Sequence, residues 1–176
     1  MPGNDLYALK HRNGLAVVGL AARHAALRSG GELRVTYVVD GDDRRELAAA
    51  ATGKRKRKGQ QKLGAAHAIA ELTCEGSGDG ESSSECTRYR VHALVDGTLL
   101  EVNSALDSSR AGSKPCGALL RSSAEWRGYV GIVMAYGDAA KRMCVGASAG
   151  NDVGTLLSLD EYEALRGIAK EDSPYR

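Results

Sequence analysis

Val95-Asp96-Gly97-Thr98-Leu99-Leu100-Glu101-Val102-Asn103, followed after a spacer by Trp126-Arg127-Gly128-Tyr129-Val130-Gly131-Ile132-Val133-Met134, is the stretch on which the fold turns. Val95, Leu99 and Val102 stand among the turn formers Asp96-Gly97 and Asn103-Ser104. The first segment therefore reads as two short strands meeting at a tight glycine turn. Tyr129 to Met134 reads as a further strand.

Working outward, the same β signals recur. Leu6 to His11 and Leu15 to Leu20 read as a hairpin joined at Asn13-Gly14, a pair that supplies the positive φ angles such a turn needs. Glu32 to Val39 sets Leu33, Val35, Tyr37 and Val39 against Arg34, Thr36 and Val38, the period of a half-buried strand; Asp40-Gly41-Asp42-Asp43 breaks it. Ala65 to Cys74 and Thr87 to Val95 read as paired strands around a polar, low-complexity connector, Glu75 to Glu85. Helices are few and short: Ala21 to Arg28, stopped by Gly30-Gly31; Glu46 to Ala51; and one near the C-terminus. Ser158 and Glu161 predict a capping box for that last helix, because each satisfies a backbone N–H of the other. The expectation is one mainly β domain over 1–176, with mobile loops near 75–86 and 137–152.

Composition narrows the function classes. A chain of 176 residues is long enough for one real core, and with no Phe and one Trp that core is built from Val, Leu, Ile and Ala. A formal charge of +2 gives no general attraction to nucleic acid, so any charge-driven partner is engaged locally. Cys74, Cys86, Cys116 and Cys144 are too widely spaced for a CxxC metal pair. Cys74 and Cys86 flank the connector, so a disulfide between them is geometrically open, but free thiols are the expectation because the N-terminus has no apolar signal core. No apolar run reaches the roughly 18 residues of a membrane span. A soluble intracellular protein without membrane contact is expected.

The densest charge lies in one run, Lys54-Arg55-Lys56-Arg57-Lys58, between Gly53 and Gly59. Five cations cannot fold onto one another, so the run reads as a solvated docking or nuclear-import segment, suited to an import receptor, an acidic protein surface or phosphates. His11, His24, His67 and His92 lie in no local nucleophile or base motif, although His67 and His92 are placed to face each other on adjacent strands. Gly76-Ser77-Gly78-Asp79-Gly80 lacks the Lys-Ser/Thr that a phosphate loop needs. No catalytic residue, metal ligand or cofactor is assigned.

The strand pattern resembles that of small barrel-sandwich hybrid domains of the biotinyl/lipoyl carrier or H-protein-like type. In those carriers a hairpin tip presents one modified lysine, whereas here there is no lysine between Lys62 and Lys114. The order of segments also resembles the Simiate family, the actin-binding transcription modulators (Abitram). The resemblance rests on Leu9-Lys10-His11-Arg12-Asn13 entering Ala16-Val17-Val18-Gly19-Leu20-Ala21, on His24-Ala25-Ala26-Leu27-Arg28-Ser29-Gly30, on Thr52-Gly53 with the basic run, on Gly97-Thr98-Leu99-Leu100-Glu101-Val102-Asn103, on Gly128-Tyr129-Val130, and on Leu156-Leu157-Ser158-Leu159-Asp160-Glu161-Tyr162-Glu163. It implies a non-enzymatic protein that binds actin, modulates filament assembly and resides in nucleus and cytoplasm. The alternative is a nucleic-acid-associated or nuclear adaptor protein using residues 54–58.

Overall fold

A computed structural model describes residues 3–11, 13–52, 62–75, 86–109, 115–121, 128–137 and 157–169. The chain is mainly β, and its described strands form open sheets with no closed barrel among them. In chain order they are β1 (Leu6–Lys10), β2 (Leu15–Leu20), β3 (Glu32–Thr36), β4 (Val38–Val39), β5 (Asp42–Asp43), β6 (Lys62–Leu63), β7 (Ala68–Glu75), β8 (Thr87–His92), β9 (Gly97–Val102) and β10 (Tyr129–Ala135). A five-stranded sheet has the order β1-β2-β10-β9-β6, a three-stranded sheet the order β3-β7-β8, and β4 and β5 form a small ribbon. All of these ladders are antiparallel.

Local chemistry explains the first hairpin. Of the expected Asn13-Gly14 pair only Gly14 takes a positive φ, +85, because the turn is closed further out, by the His11 N–H on the Leu15 carbonyl at 2.8 Å; β1 pairs with β2 from Leu6 opposite Leu20 to Lys10 opposite Ala16. The Glu32 to Val39 strand is divided at Tyr37, however, and the supposed breaker Asp40-Gly41 is a two-residue hairpin tip. Both residues have positive φ, +52 and +89, and Val39 opposes Asp42 across them.

The segment around Asp96-Gly97 is not the hairpin its turn residues suggest. β8 stops at His92 and pairs with β7, whereas β9 pairs with β10 and β6 in the other sheet. Between them Leu94 takes a left-handed φ of +64, and the N–H groups of Ala93 and Leu94 donate to the carbonyls of His67 and Ala65 at 2.9 Å each. Those bonds fix the chain as a crossing from sheet to sheet. Gly97 is needed for close approach instead of a turn, since a Cβ there would run into the Met134 carbonyl oxygen and come within 2.7 Å of Val133 Cγ1.

The two sheets bury a common core. Leu33, Val35, Leu72 and Val91 enter it from the three-stranded side, and Val18, Leu20, Leu99 and Val133 from the five-stranded side. Tyr37 lies between them with its side chain fully buried, and its hydroxyl donates to the carbonyl oxygens of Asn103 and Val130 at 3.0 Å. Burial pushes its phenol far above the ordinary tyrosine range, so it acts as a neutral donor.

Helices close the margins. The stretch expected to be helical from Ala21 forms only α1, Ala25–Arg28, because His24 caps it: His24 Nδ1 accepts from the Ala26 N–H at 3.1 Å. α2 (Arg44–Thr52) packs on β9, α3 (Gly117–Arg121) follows a 3₁₀ turn at Ser104–Leu106, and α4 (Leu159–Arg166) carries the expected Ser158/Glu161 capping box. Gly167, at φ +62, ends α4. Asp5 anchors α4 to the start of β1, accepting from the Tyr162 hydroxyl at 3.2 Å and pairing with Arg166. Among the described residues no helix is long and apolar enough to cross a membrane.

Candidate functional site

The basic run Lys54, Arg55, Lys56, Arg57 and Lys58 lies outside the described residues, within the connection from α2 to β6. The same holds for most of the 75–86 and 137–152 loops and for Cys144. β7 and β8 pair up to Cys74 opposite Thr87, so residues 76–85 join two partners of one hairpin. That hairpin and its connection contain no lysine.

The histidines serve the backbone. His67 Nδ1 accepts from the Gly64 N–H at 2.9 Å, while His92 Nδ1 donates to the Ala66 carbonyl at 2.8 Å, so both brace the turn that precedes β7. His24 is fully buried, and with Nδ1 accepting, its Nε2–H donates to Asn4 Oδ1 at 2.9 Å. Asn4 in turn donates to the Arg90 carbonyl at 3.0 Å, and the His24 ring meets Tyr89 edge-on with centroids 4.9 Å apart. Burial lowers the His24 pKa to about 4 against a weaker opposing pull from Asp5, which keeps the ring neutral. Among the described residues no three His, Cys, Asp or Glu side chains are grouped to hold a metal.

Cys74, Cys86 and Cys116 are free thiols. Cys74 is buried with Sγ 2.9 Å from Ser29 Oγ, and Cys86 is exposed. Cys74 opposes Thr87, so by strand alternation Cys86 belongs to the other face, which explains why the two do not bridge. Cys116 is buried, and its Sγ–H donates to the Leu33 carbonyl.

One ionic cluster is built into the fold. Arg45 pairs with Asp43 at 2.7 Å and with the buried Asp107 carboxylate at 2.5 Å, and donates to Ser109 Oγ at 3.0 Å. Burial works against ionisation of Asp107, but hydrogen bonds from Ser109 and Arg45 outweigh it and hold its carboxyl below the usual range. Each guanidinium nitrogen has an acceptor, so the cluster pins α2 to the segment after β9.

The outer faces of the two sheets differ in kind. On the three-stranded sheet Glu32, Arg34, Glu71, Glu75, Arg88 and Arg90 face solvent, laced by Arg34 to Glu32 and Glu75 and by Arg90 to Glu71 and Asp40. On the five-stranded sheet the outward positions of β1, β2 and β10 are apolar, whereas Glu101 of β9 and Lys62 of β6 stand on the same side. Leu9 opposes Val17 and Val17 opposes Ile132; Leu15 opposes Met134; Tyr7 and Tyr129 flank Gly19. These large side chains are half-buried while the alternate residues Ala16, Val18 and Val133 are in the core. β1, β2 and β10 together hold one charged residue, Lys10. The sequence reading passed over this face, although LAVVGL and YVGIVMA showed it by failing to alternate with polar residues.

No family model matches the chain. The chain is 28% identical over 165 residues to Protein Abitram of Bos taurus, an alignment covering 93% of this chain and 74% of that protein. The protein described here is thus a mainly β chain with a distant, nearly full-length similarity to Abitram.

Proposed function

We propose that the protein is a non-enzymatic actin-binding protein of the Abitram type, which modulates filament assembly and acts in both nucleus and cytoplasm. The observation that carries this reading is the collinear similarity to Abitram along 93% of the chain. The proposed scaffold is the barrel-sandwich hybrid of H-protein-like domains, put to binding use: the β7–β8 hairpin that would carry a modified lysine has none. Binding then depends on surface complementarity, and no cofactor enters. Co-sedimentation with filamentous actin, together with pyrene-actin assembly kinetics, tests the proposal. Micromolar protein is expected to pellet with filaments and change the assembly rate; neither effect at saturating actin overturns it.

A second reading is favoured by the run Lys54 to Lys58, a nuclear adaptor or nucleic-acid-associated role. Replacing all five by Gln is expected to lower the nuclear-to-cytoplasmic ratio of tagged protein without changing its thermal midpoint. If nucleic acid is the partner, affinity falls steeply with salt because counterions are released from the phosphates. A salt-independent affinity removes nucleic acid from consideration.

A further inference from the structure

We infer that residues 3–4 and α1 form an acid-released clasp over β8: a proton on His24 frees them while both sheets stay folded. Three residues near the start of the chain do the fastening. The Gly3 carbonyl accepts from the Ala25 N–H of α1, and the Asp5 carbonyl from the Ala21 N–H just beyond β2, each at 2.8 Å. Between them Asn4 bridges the His24 ring to the Arg90 carbonyl of β8, the edge strand of its sheet. Of α1 only Ala26 is buried, whereas the core that joins the sheets is drawn mainly from the strands.

The joint holds only while the ring is neutral. His24 Nδ1 accepts from the Ala26 N–H at 3.1 Å and Nε2–H donates to Asn4 Oδ1 at 2.9 Å, so a proton enters only at the expense of the helix cap. Donor then faces donor at the start of a helix of four residues. The surroundings offset the new charge poorly. From β8, Tyr89 meets the ring edge-on and Arg90 is itself a cation; Arg23 and Arg28 flank it in sequence; and the Asp5 carboxylate, the acid that acts on the ring, is shared by Tyr162 and Arg166 of α4. The imidazolium therefore gains hydration by leaving, and it takes α1 and residues 3–4 with it. Asp5, still bonded to Ala21, and Gly30, at φ +71, bound the piece that moves. Opening bares Tyr89 and the Arg90 carbonyl at the sheet edge, a local step that costs less than unfolding the strands.

Two-dimensional NMR of the full chain, titrated with acid from neutral pH, tests this. The His24 ring and the amides of Ala25–Arg28 are expected to shift together with one midpoint near 4, while the amides of β2, β7 and β10 keep their neutral positions. Asn4→Asp sets a carboxylate against Nε2–H and raises that midpoint by about 1 pH unit or more. His24→Gln abolishes the α1 transition; should that variant not fold, the Asn4→Asp shift carries the test. Loss of the strand amides at the same midpoint means global unfolding and overturns the inference. So does an α1 that keeps its amide positions while His24 titrates, or a midpoint indifferent to Asn4→Asp.

Discussion

The three-stranded and five-stranded sheets share one core yet treat water in opposite ways. The first turns a ladder of arginines and glutamates outward, each ion pair lying across or beside the strands. The second turns Leu9, Val17, Ile132 and Met134 outward on β1, β2 and β10. An apolar inner face is what folding requires of both sheets, because burying it drives collapse. Folding makes no such demand on an outer face. The contrast therefore separates a face built for water from one whose large side chains lie half-buried.

The largest expected effect breaks the link between the sheets. Tyr37→Ala removes a fully buried ring and its two carbonyl contacts at once, and is expected to cost about 3 to 5 kcal/mol, read from urea unfolding midpoints. Tyr37→Phe leaves the ring and loses only the hydroxyl's hydrogen bonds, since the Val130 and Asn103 carbonyls keep the Asn103 and Leu106 N–H groups as donors, for about 0.5 to 1.5 kcal/mol. A loss below 1 kcal/mol for the alanine variant would mean the sheets are held together without it.

Acid should weaken the three-stranded side through His24. Its folded pKa of about 4 lies below the ordinary 6.5, so the unfolded chain binds the extra proton first as pH falls. The stabilisation is complete above pH 6.5 and is lost as pH drops through 4, by on the order of 2 to 3 kcal/mol from this group. Thermal midpoints should decline over that window, and His24→Gln should flatten the decline. An unaltered pH profile in the variant would show that other groups govern it.

On the five-stranded side Gly97→Ala drives a methyl into the Met134 carbonyl of the neighbouring strand. We expect about 1 to 3 kcal/mol of destabilisation by calorimetry, from strand displacement. Smallest of all is the effect of Arg34→Ala or Arg90→Ala on the charged ladder. Their partners are solvent-accessible and screened, so each should shift stability by less than about 0.5 kcal/mol. A larger loss from either would make the polar face structural instead of merely solvated.

Much of the architecture was legible where the controlling residues are neighbours in sequence. Asn13-Gly14 announced a hairpin, Ser158 and Glu161 a helix start, and the alternation of Leu33 and Val35 with Arg34 and Thr36 a two-faced strand; each is present. The Asp96-Gly97 pair misled because the same dipeptide chemistry serves a hairpin tip and a crossing between sheets. Only the bonds from Ala93 and Leu94 back to residues 65 and 67 distinguish them. Candidate chemistry was harder to read: the histidines that looked free to meet each other cap turns, and that depends on which backbone groups the fold leaves unpaired.

By itself the sequence determined the element types, the short helices, the concentration of positive charge in residues 54–58 and the absence of lysine between Lys62 and Lys114, all consequences of composition and of interactions spanning a few residues. Tertiary structure decided which strands share a sheet, where Tyr37 places its hydroxyl, and that the apolar side chains of β1, β2 and β10 form one continuous outer face. The division has a physical cause. Turn and cap preferences are set by local backbone torsions, whereas sheet partnership is settled by packing and hydrogen bonding between segments up to about a hundred residues apart, which no local pattern encodes.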